Sequence, residues 1–372
     1  MKKSKKRGYY IYYTVESSFA GVDKKVRNQS RVFGRYFQFH LIVVPKEKSN
    51  FVKSVVWRLP FGSYGRRYQE ALEKIENPDF IYIRFVPTDR RFLKFIRSLR
   101  ERFPSARLLL EIATFPYGRE LLDDFTMFPY YFKDLWYRRQ LKKYIDRIVT
   151  FSRDQEIYGI PTIQTMNGIL VEEQKVVSGG GRQDVIRLLA VAIFQKSHGY
   201  ERCIEGLAHY YRKKRNRRIE LHMVGEGTEL EYYKKLVRSN HLEEYVIFYG
   251  RKGGEELDAV YENADIGLGC FGLYKRNINL SSVLKVREYL AKGLPIITGC
   301  REDILDRQET EYVYTFPNDS SYVNMKYVVS FYDKIYGKED RSEVHRQIRN
   351  YAKEVVDMEK VLQPVIQYLI DG

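Results

Sequence analysis

Cysteine is scarce in this chain. The three thiols, Cys203, Cys270 and Cys300, are odd in number and form no C-x-x-C pair, which argues against a disulfide framework and a zinc knuckle. They read as buried thiols in a reducing cytosol. Long apolar runs are missing too: no stretch reaches the roughly 18 residues that a spanning helix needs. The basic start, Met1 to Arg7, resembles the head of a signal peptide. The run Tyr9 to Val15 that follows is short, aromatic and stopped by Glu16, so it reads as a first strand. No G-x-x-x-x-G-K-[ST] occurs, which argues against a P-loop nucleotidase. The six histidines show no H-x-x-x-H spacing, and no catalytic metal is expected. Internal repeats and low-complexity segments are absent as well.

What is present suits a folded two-domain protein. The chain has 372 residues, 44% hydrophobic and 30% charged. Its charge is uneven. Residues 1–170 carry 33 basic and 17 acidic side chains, whereas residues 171–372 carry 31 of each, so the first part holds the whole net charge of +16. Such asymmetry suits a nucleic acid, an anionic membrane surface or a phosphate-bearing substrate, and equally a generally basic, solvated surface.

Apolar runs alternate with amphipathic helical runs throughout. Strands are expected at Ile186–Phe194, Ile219–Val224, Tyr245–Tyr249, Asp265–Cys270 and Leu294–Thr298. Helices are expected between them at Tyr200–Lys214, Glu229–Ser239, Glu255–Glu262 and Ser282–Lys292. Nearly continuous apolar strands separated by helices indicate a parallel sheet covered on both faces. The first part repeats the pattern with strands at Tyr9–Val15, Phe37–Val44, Phe80–Phe85, Leu108–Ile112 and Arg147–Phe151, and helices at Val22–Phe33 and Arg90–Arg102. A break after Asn167-Gly168, with a loop at Ser178–Gly181, separates the two. The expected fold is α/β, with two doubly wound Rossmann-like domains, 1–170 and 171–355, facing across a cleft. A C-terminal helix within 356–372 packs back on the first.

The segment Leu280 to Ile297 carries the clearest chemistry. Ser281 or Ser282 can cap a helix whose free N–H groups form an anion site. Val283, Val286 and Leu290 share the face toward the sheet, and Ser281, Lys285 and Glu288 share another. Gly293 suits the left-handed stop. Hydroxyl, ammonium and carboxylate at a helix N-terminus suit a nucleotide diphosphate and its ribose. The same spacing also suits an exposed Lys–Glu pair.

This segment resembles the nucleotide-sugar site of GT-B glycosyltransferases, in particular the large retaining family numbered 4. The likeness continues through Val224-Gly225-Glu226-Gly227, Val246 to Gly250, Glu256 to Tyr261, and Ala264-Asp265-Ile266, in order and spacing over about 110 residues. The turn His198-Gly199-Tyr200 stands where the family has Lys-Gly. In the first part Gly21 stands at the first loop, and Leu110 to Tyr117 resembles bacterial polysaccharide-assembly members. The resemblance implies a donor site of Gly21, Gly225, Gly227, Gly250, Arg251, Arg276, Asn277, Ser281, Ser282, Val283, Lys285 and Glu288. Lys285, Glu288 and His198 are the catalytic candidates, and Glu111, Thr114 and Tyr117 lie on the acceptor side. No D-x-D occurs, in keeping with a metal-independent reaction. The truncated G-x-G at Gly225 lacks its third glycine and a ribose acid, so a nicotinamide cofactor is not expected.

Departures from the family pattern are specific. Leu280 stands where the first of two glutamates spaced eight positions apart belongs, and Ala192 stands near where the family has a diphosphate-binding arginine, so that contact is missing. Lys196, Lys285 or Arg276 can restore the lost charge.

The expected reaction moves a sugar, with retention, from a nucleotide-diphosphate donor to a lipid-linked glycan in surface polysaccharide synthesis. UDP is the commonest base for such donors, and no further cofactor is expected. The expected location is cytoplasmic, at the inner membrane face. A polyprenyl-diphosphate acceptor and an anionic membrane surface would account for the basic part. An inactive relative serving as partner of an active transferase is the alternative. Nucleic-acid binding would leave residues 171–372 unexplained, and no recognisable motif supports it. The stretch Phe128 to Arg139 mixes aromatics with Lys and Arg, and suits either an interfacial helix or a core helix. The basic run Lys213 to Arg218 is accounted for by its place at a helix end.

Overall fold

The computed structural model describes residues 5–13, 20–44, 68–118, 128–178, 184–213, 217–337 and 339–371. Residues 14 and 15 of the first expected strand, 179–181 of the expected linker and 214–216 of the basic run lie outside them. The chain divides into two compact units, Met1–Met166 with Val361–Gly372, and Asn167–Lys360.

Unit 1 is built on a seven-stranded sheet in the order β2-β1-β3-β4-β5-β7-β6. Its strands are β1 (Arg7–Tyr13), β2 (Gln38–Val44), β3 (Phe80–Arg84), β4 (Arg107–Ile112), β5 (Arg147–Thr150), β6 (Glu156–Ile157) and β7 (Ile160–Gln164). All neighbours run parallel except β6 and β7, a hairpin at the edge. The Arg90–Arg102 helix illustrates the local logic. Asp89 caps it by accepting from the Phe92 N–H at 2.8 Å. Phe92, Phe95, Ile96 and Leu99 fall on one face at helical spacing and are buried. Each contributes about 1.5–3 kcal/mol by leaving water.

The chain returns to unit 1 through its last helix, Met358–Asp371. The Tyr368 ring lies beneath the Arg107 and Arg147 guanidiniums at 4.5 and 5.1 Å. Lys6 Nζ donates to the Leu369 carbonyl at 2.8 Å. Val361, Leu362, Val365, Ile366 and Leu369 are buried.

Unit 2 is built on a six-stranded, all-parallel sheet in the order β10-β9-β8-β11-β13-β15. Its strands are β8 (Val185–Val191), β9 (Arg218–Val224), β10 (Val246–Gly250), β11 (Ile266–Leu268), β13 (Ile296–Thr298) and β15 (Val313–Thr315). A separate pair, β12 (Leu280–Ser281) with β14 (Arg301–Glu302), lies outside this sheet. The strand order reverses between β8 and β11, which makes the loops at their C-terminal ends the natural ligand position. Asp265, in the sequence Ala-Asp-Ile, is buried and structural. It accepts from the Arg187 N–H at 2.7 Å and pairs with Arg341.

Tyrosine fills both cores. Tyr10, Tyr82, Tyr200, Tyr233, Tyr261 and Tyr289 are among the largest fully buried side chains. The three cysteines are buried free thiols. Among the described residues no helix is long and apolar enough to cross a membrane.

Candidate functional site

The two loops at the reversal point of unit 2 are stitched together. The Phe271 N–H donates to the His198 carbonyl at 2.8 Å, and the Gly272 N–H to the Ser197 carbonyl at 3.2 Å. The crossing is so close that a Cβ on Gly199, whose φ is +63°, would lie 2.3 Å from the Gly272 nitrogen. Only glycine fits there.

The crossing sets His198 beside two cations. Burial, then Lys285 and Arg276, hold its pKa down to about 2. Its Nδ1 accepts from the Gln195 N–H at 3.1 Å, so the single proton of the neutral ring sits on Nε2. His198 is therefore a neutral donor, where the family's lysine would be a cation. Its ring lies parallel to Tyr200, with centroids 5.7 Å apart. Tyr200 is fully buried, and its hydroxyl accepts from Lys285 Nζ at 3.0 Å. Lys285 itself is half-buried, and that burial lowers its pKa while Cys270 and Glu302 oppose the shift. The structure thus brings His198, Lys285 and Arg276 together. Arg276 ends a short 3-10 turn, Leu273–Arg276, closed by Asn277 in the left-handed region at φ +53°.

The expected serine cap differs in the structure. The helix begins at Leu284 and ends at Ala291, and Val283 is its N-cap, without a side-chain bond. Tertiary partners take both serines. Ser281 is buried in β12, paired in register with Glu302 of β14. Ser282 Oγ accepts from the Asn167 N–H and from Arg287, each at 3.2 Å. The free first-turn amides are consequently those of Leu284, Lys285 and Val286. Val283 packs against a small cluster of Cys270, Leu273 and Cys300.

Arg287 is the hub behind this loop, and the sequence reading assigned it no role. It is fully buried and pairs with Glu302 at 3.2 Å and with Asp303. It also donates to the carbonyls of Asn167 at 3.1 Å and Val283 at 3.3 Å. Burial pushes Glu302 up to about 7, against the pull of Arg287. An arginine embedded among the apolar positions Val286, Tyr289 and Leu290 was the available signal. Tyr200, adjacent to His198-Gly199, was also passed over.

Glu288 lies one turn on, beside the Tyr261 hydroxyl. Lys292 covers the Tyr261 ring at 4.6 Å and pairs with Asp258 at 2.6 Å, tying this helix to the Gly254–Glu262 helix. Gly293 adopts φ +88°, as a left-handed stop requires.

Gly225 and Gly227 have φ of +131° and +149°. A Cβ on Gly225 would lie 1.9 Å from the Ala192 carbonyl oxygen. Their loop zips onto residues 192–194 through Ala192 N–H to Val224 O at 3.0 Å and Phe194 N–H to Glu226 O at 2.7 Å. Gly225 also donates to the Gly250 carbonyl at 2.7 Å, which places the Gly225 and Gly250 loops together. Arg251 is exposed at the end of β10.

The remaining candidates belong to unit 1. Gly21 sits exposed in the first turn of the Ala20–Tyr36 helix. Glu111 is buried and accepts from Lys25 at 3.0 Å, Arg84 at 2.6 Å and Tyr10 at 2.8 Å. Burial opposes its ionisation, but Lys25 and Arg84 hold its pKa down at about 2. Tyr117 belongs to a second buried cluster: it donates to Asp134 at 2.6 Å and accepts from Tyr158 at 2.6 Å. Thr114 is exposed between these clusters in sequence.

Residues 172–323 match the family model of the glycosyl transferases group 1. The chain is thus similar to that family over this stretch. No curated protein sequence matches the chain significantly. Among solved structures it is similar to sucrose-phosphate synthase from Thermosynechococcus elongatus, with 13% identity, TM-score 0.67 and coverage of 98% of this chain and 99% of that one. HepE of Anabaena in complex with UDP gives 11% identity, TM-score 0.67 and coverage of 98% and 100%. The lipopolysaccharide outer core galactosyltransferase WaaB gives 14% identity, TM-score 0.60 and coverage of 97% and 99%. At these identities the likeness establishes the fold, which is GT-B. The matched stretch contains every candidate from His198 to Glu288.

Proposed function

We propose that the chain transfers a sugar from a nucleotide-diphosphate donor, UDP foremost, to a lipid-linked glycan in surface polysaccharide assembly. The observation that carries this reading is the pairing of Lys285 and Arg276 around a neutral His198, at the reversal point of a group 1 domain. Lys285, Arg276 and the Leu284–Val286 amides take the diphosphate, where negative charge builds as the bond to the sugar breaks. Glu288 accepts from the ribose hydroxyls. The Nε2–H of His198 donates to the donor without adding charge. Gly225, Gly227, Gly250, Arg251, Asn277, Ser281, Ser282 and Val283 shape the donor site. The anomeric carbon forms its new bond to an acceptor hydroxyl on the face that the phosphate leaves. The acceptor proton passes to a leaving phosphate oxygen, so configuration is retained and neither a metal nor a further cofactor is used. Unit 1, with Glu111, Thr114 and Tyr117, serves the acceptor at the inner face of the membrane. HepE binds UDP within the same fold, which supports UDP as the first donor base to test.

A second reading has one observation in its favour. Leu280, at the position of the family's first glutamate, is half-buried in β12. A chain lacking that carboxylate fits an inactive relative that assists an active transferase.

Melting with UDP, GDP, ADP and CMP tests the donor site in wild type, Lys285→Gln and Glu288→Gln. A ligand at 100 times its Kd stabilises by about 2.7 kcal/mol. One nucleotide is expected to shift wild type and neither variant. No shift with any nucleotide removes the donor assignment. A shift without transfer of labelled sugar to membrane lipid extracts favours the inactive relative.

A further inference from the structure

The Phe128–Tyr137 helix of unit 1 resolves the choice left open by its sequence. Lys133 and Asp134 are the buried residues of this helix, and Tyr131 packs against the core. Phe132 and Trp136, one turn apart, face outward at 60% and 73% exposure. Trp136 is the most exposed large apolar side chain among the described residues. Two aromatics left in water at adjacent turns are costly unless something covers them.

The continuation of this helix indicates what covers them. The chain tightens into a 3-10 turn, Arg138–Lys143. At three residues per turn Arg139 and Lys142 stack in line, and the line prolongs the Phe132–Trp136 stripe. Arg139, Lys142 and Lys143 are exposed. Leu135 to Ile145 contains no acidic residue. The one acid within the helix, Asp134, is buried and taken up by Arg138 at 3.1 Å. One face thus presents an aromatic wedge followed by cations, on the unit that holds nearly all of the chain's net positive charge.

We propose that this face docks on an anionic lipid bilayer, with Phe132 and Trp136 entering the headgroup–acyl boundary and Arg139, Lys142 and Lys143 engaging lipid phosphates. The charge favours this occupant over a second copy of the chain, since two such faces would bring like charges together. It deepens the membrane-side reading of unit 1 and rests on it. Each basic residue at such a surface strengthens binding about fivefold, and aromatic side chains settle at the interface. Contact through one short stripe is reversible and weakens with salt.

Trp136 reports on its own position. In a Trp57→Phe background it is the sole tryptophan. Its emission is expected to shift to the blue with phosphatidylcholine–phosphatidylglycerol vesicles, and not with phosphatidylcholine alone. Phe132→Ser combined with Trp136→Ser should lower vesicle co-sedimentation at least about tenfold. Arg139→Glu combined with Lys142→Glu should lower it at least about 25-fold. Vesicle binding without a Trp136 shift would place the contact elsewhere and overturn the proposal. So would absence of binding to either vesicle, or concentration-dependent dimerisation abolished by Phe132→Ser and Trp136→Ser. The UDP melting shift is read on the same variants: its retention separates failure of this surface from failure of the donor site.

Discussion

Lys285 shows how a single contact decides what a side chain can do. Its ammonium is held by the Tyr200 hydroxyl, and Tyr200 is held by complete burial. Tyr200→Phe keeps the ring and frees the ammonium. It is expected to raise the Kd for the donor nucleotide about tenfold, a loss near that of a charged hydrogen bond, without lowering stability by more than about 1.5 kcal/mol. Isothermal titration with parallel melting checks this. Glu302 has a pH signature. Its folded pKa of about 7 lies above its ordinary 4.5, so the folded protein keeps a proton that the unfolded chain releases. This favours the fold at the acid end. Stability falls as pH rises from about 4.5, and levels off above about 7. His198, His222 and His345 are held below their ordinary pKa by burial and act in the opposite sense below pH 6.5. The readout is therefore a difference. Glu302→Gln should gain stability relative to wild type as pH rises from 5 to 8, and a flat difference would refute the assignment.

At the scale of elements, the loops at the strand ends are held by backbone crossings and by one buried arginine. Gly225→Ala places a methyl group on the Ala192 carbonyl at a φ that alanine rarely adopts. A loss of about 3 kcal/mol is expected by denaturant unfolding. Arg287→Leu strands Glu302 and Asp303 in the interior without their cation. It should cost about 3–5 kcal/mol, and Arg287→Lys should recover only part, because an ammonium cannot span both carboxylates and two carbonyls. Unit 1 has its own hub in Glu111, with a contribution of opposite pH sense to that of Glu302. Its carboxylate is held near 2, so its stabilisation is complete above about 4.5 and disappears as pH falls toward 2.

For the whole molecule, the last helix closes the chain onto its own beginning. Residues from Val361 onward belong with Met1–Met166, and five of their apolar side chains are buried. Truncation after Lys360 removes about 1.5–3 kcal/mol for each, together with the Tyr368 ring between Arg107 and Arg147. Unit 1 is expected to unfold below ambient temperature, while unit 2 keeps its nucleotide-dependent melting shift. Loss of both transitions together would show that unit 2 cannot stand without unit 1.

Periodicity alone located much of this architecture. The Arg90–Arg102 helix appears with the expected ends, because a side-chain cap, an apolar face and basic residues at the C-terminus are all local signals. The alternation of apolar runs and amphipathic helices made the α/β class legible. The segment from Leu280 to Ile297, together with the motifs before it, made the GT-B resemblance legible. The helices at Met325–Tyr336 and Arg341–Val355 were not read, although Asn324 and Asp340 cap them. Strand order decided the rest. It alone brings His198 to Phe271, Arg287 to Glu302 and Lys6 to Leu369, pairs that no local window contains. Desolvation follows from that packing. A histidine spelled like any other becomes neutral, a glutamate keeps its proton near neutrality, and of two serines placed to cap a helix one is drawn into β12 and the other is taken by an arginine and a backbone amide. Local pattern is a property of neighbours along the chain. Charge state and partner are properties of neighbours in space.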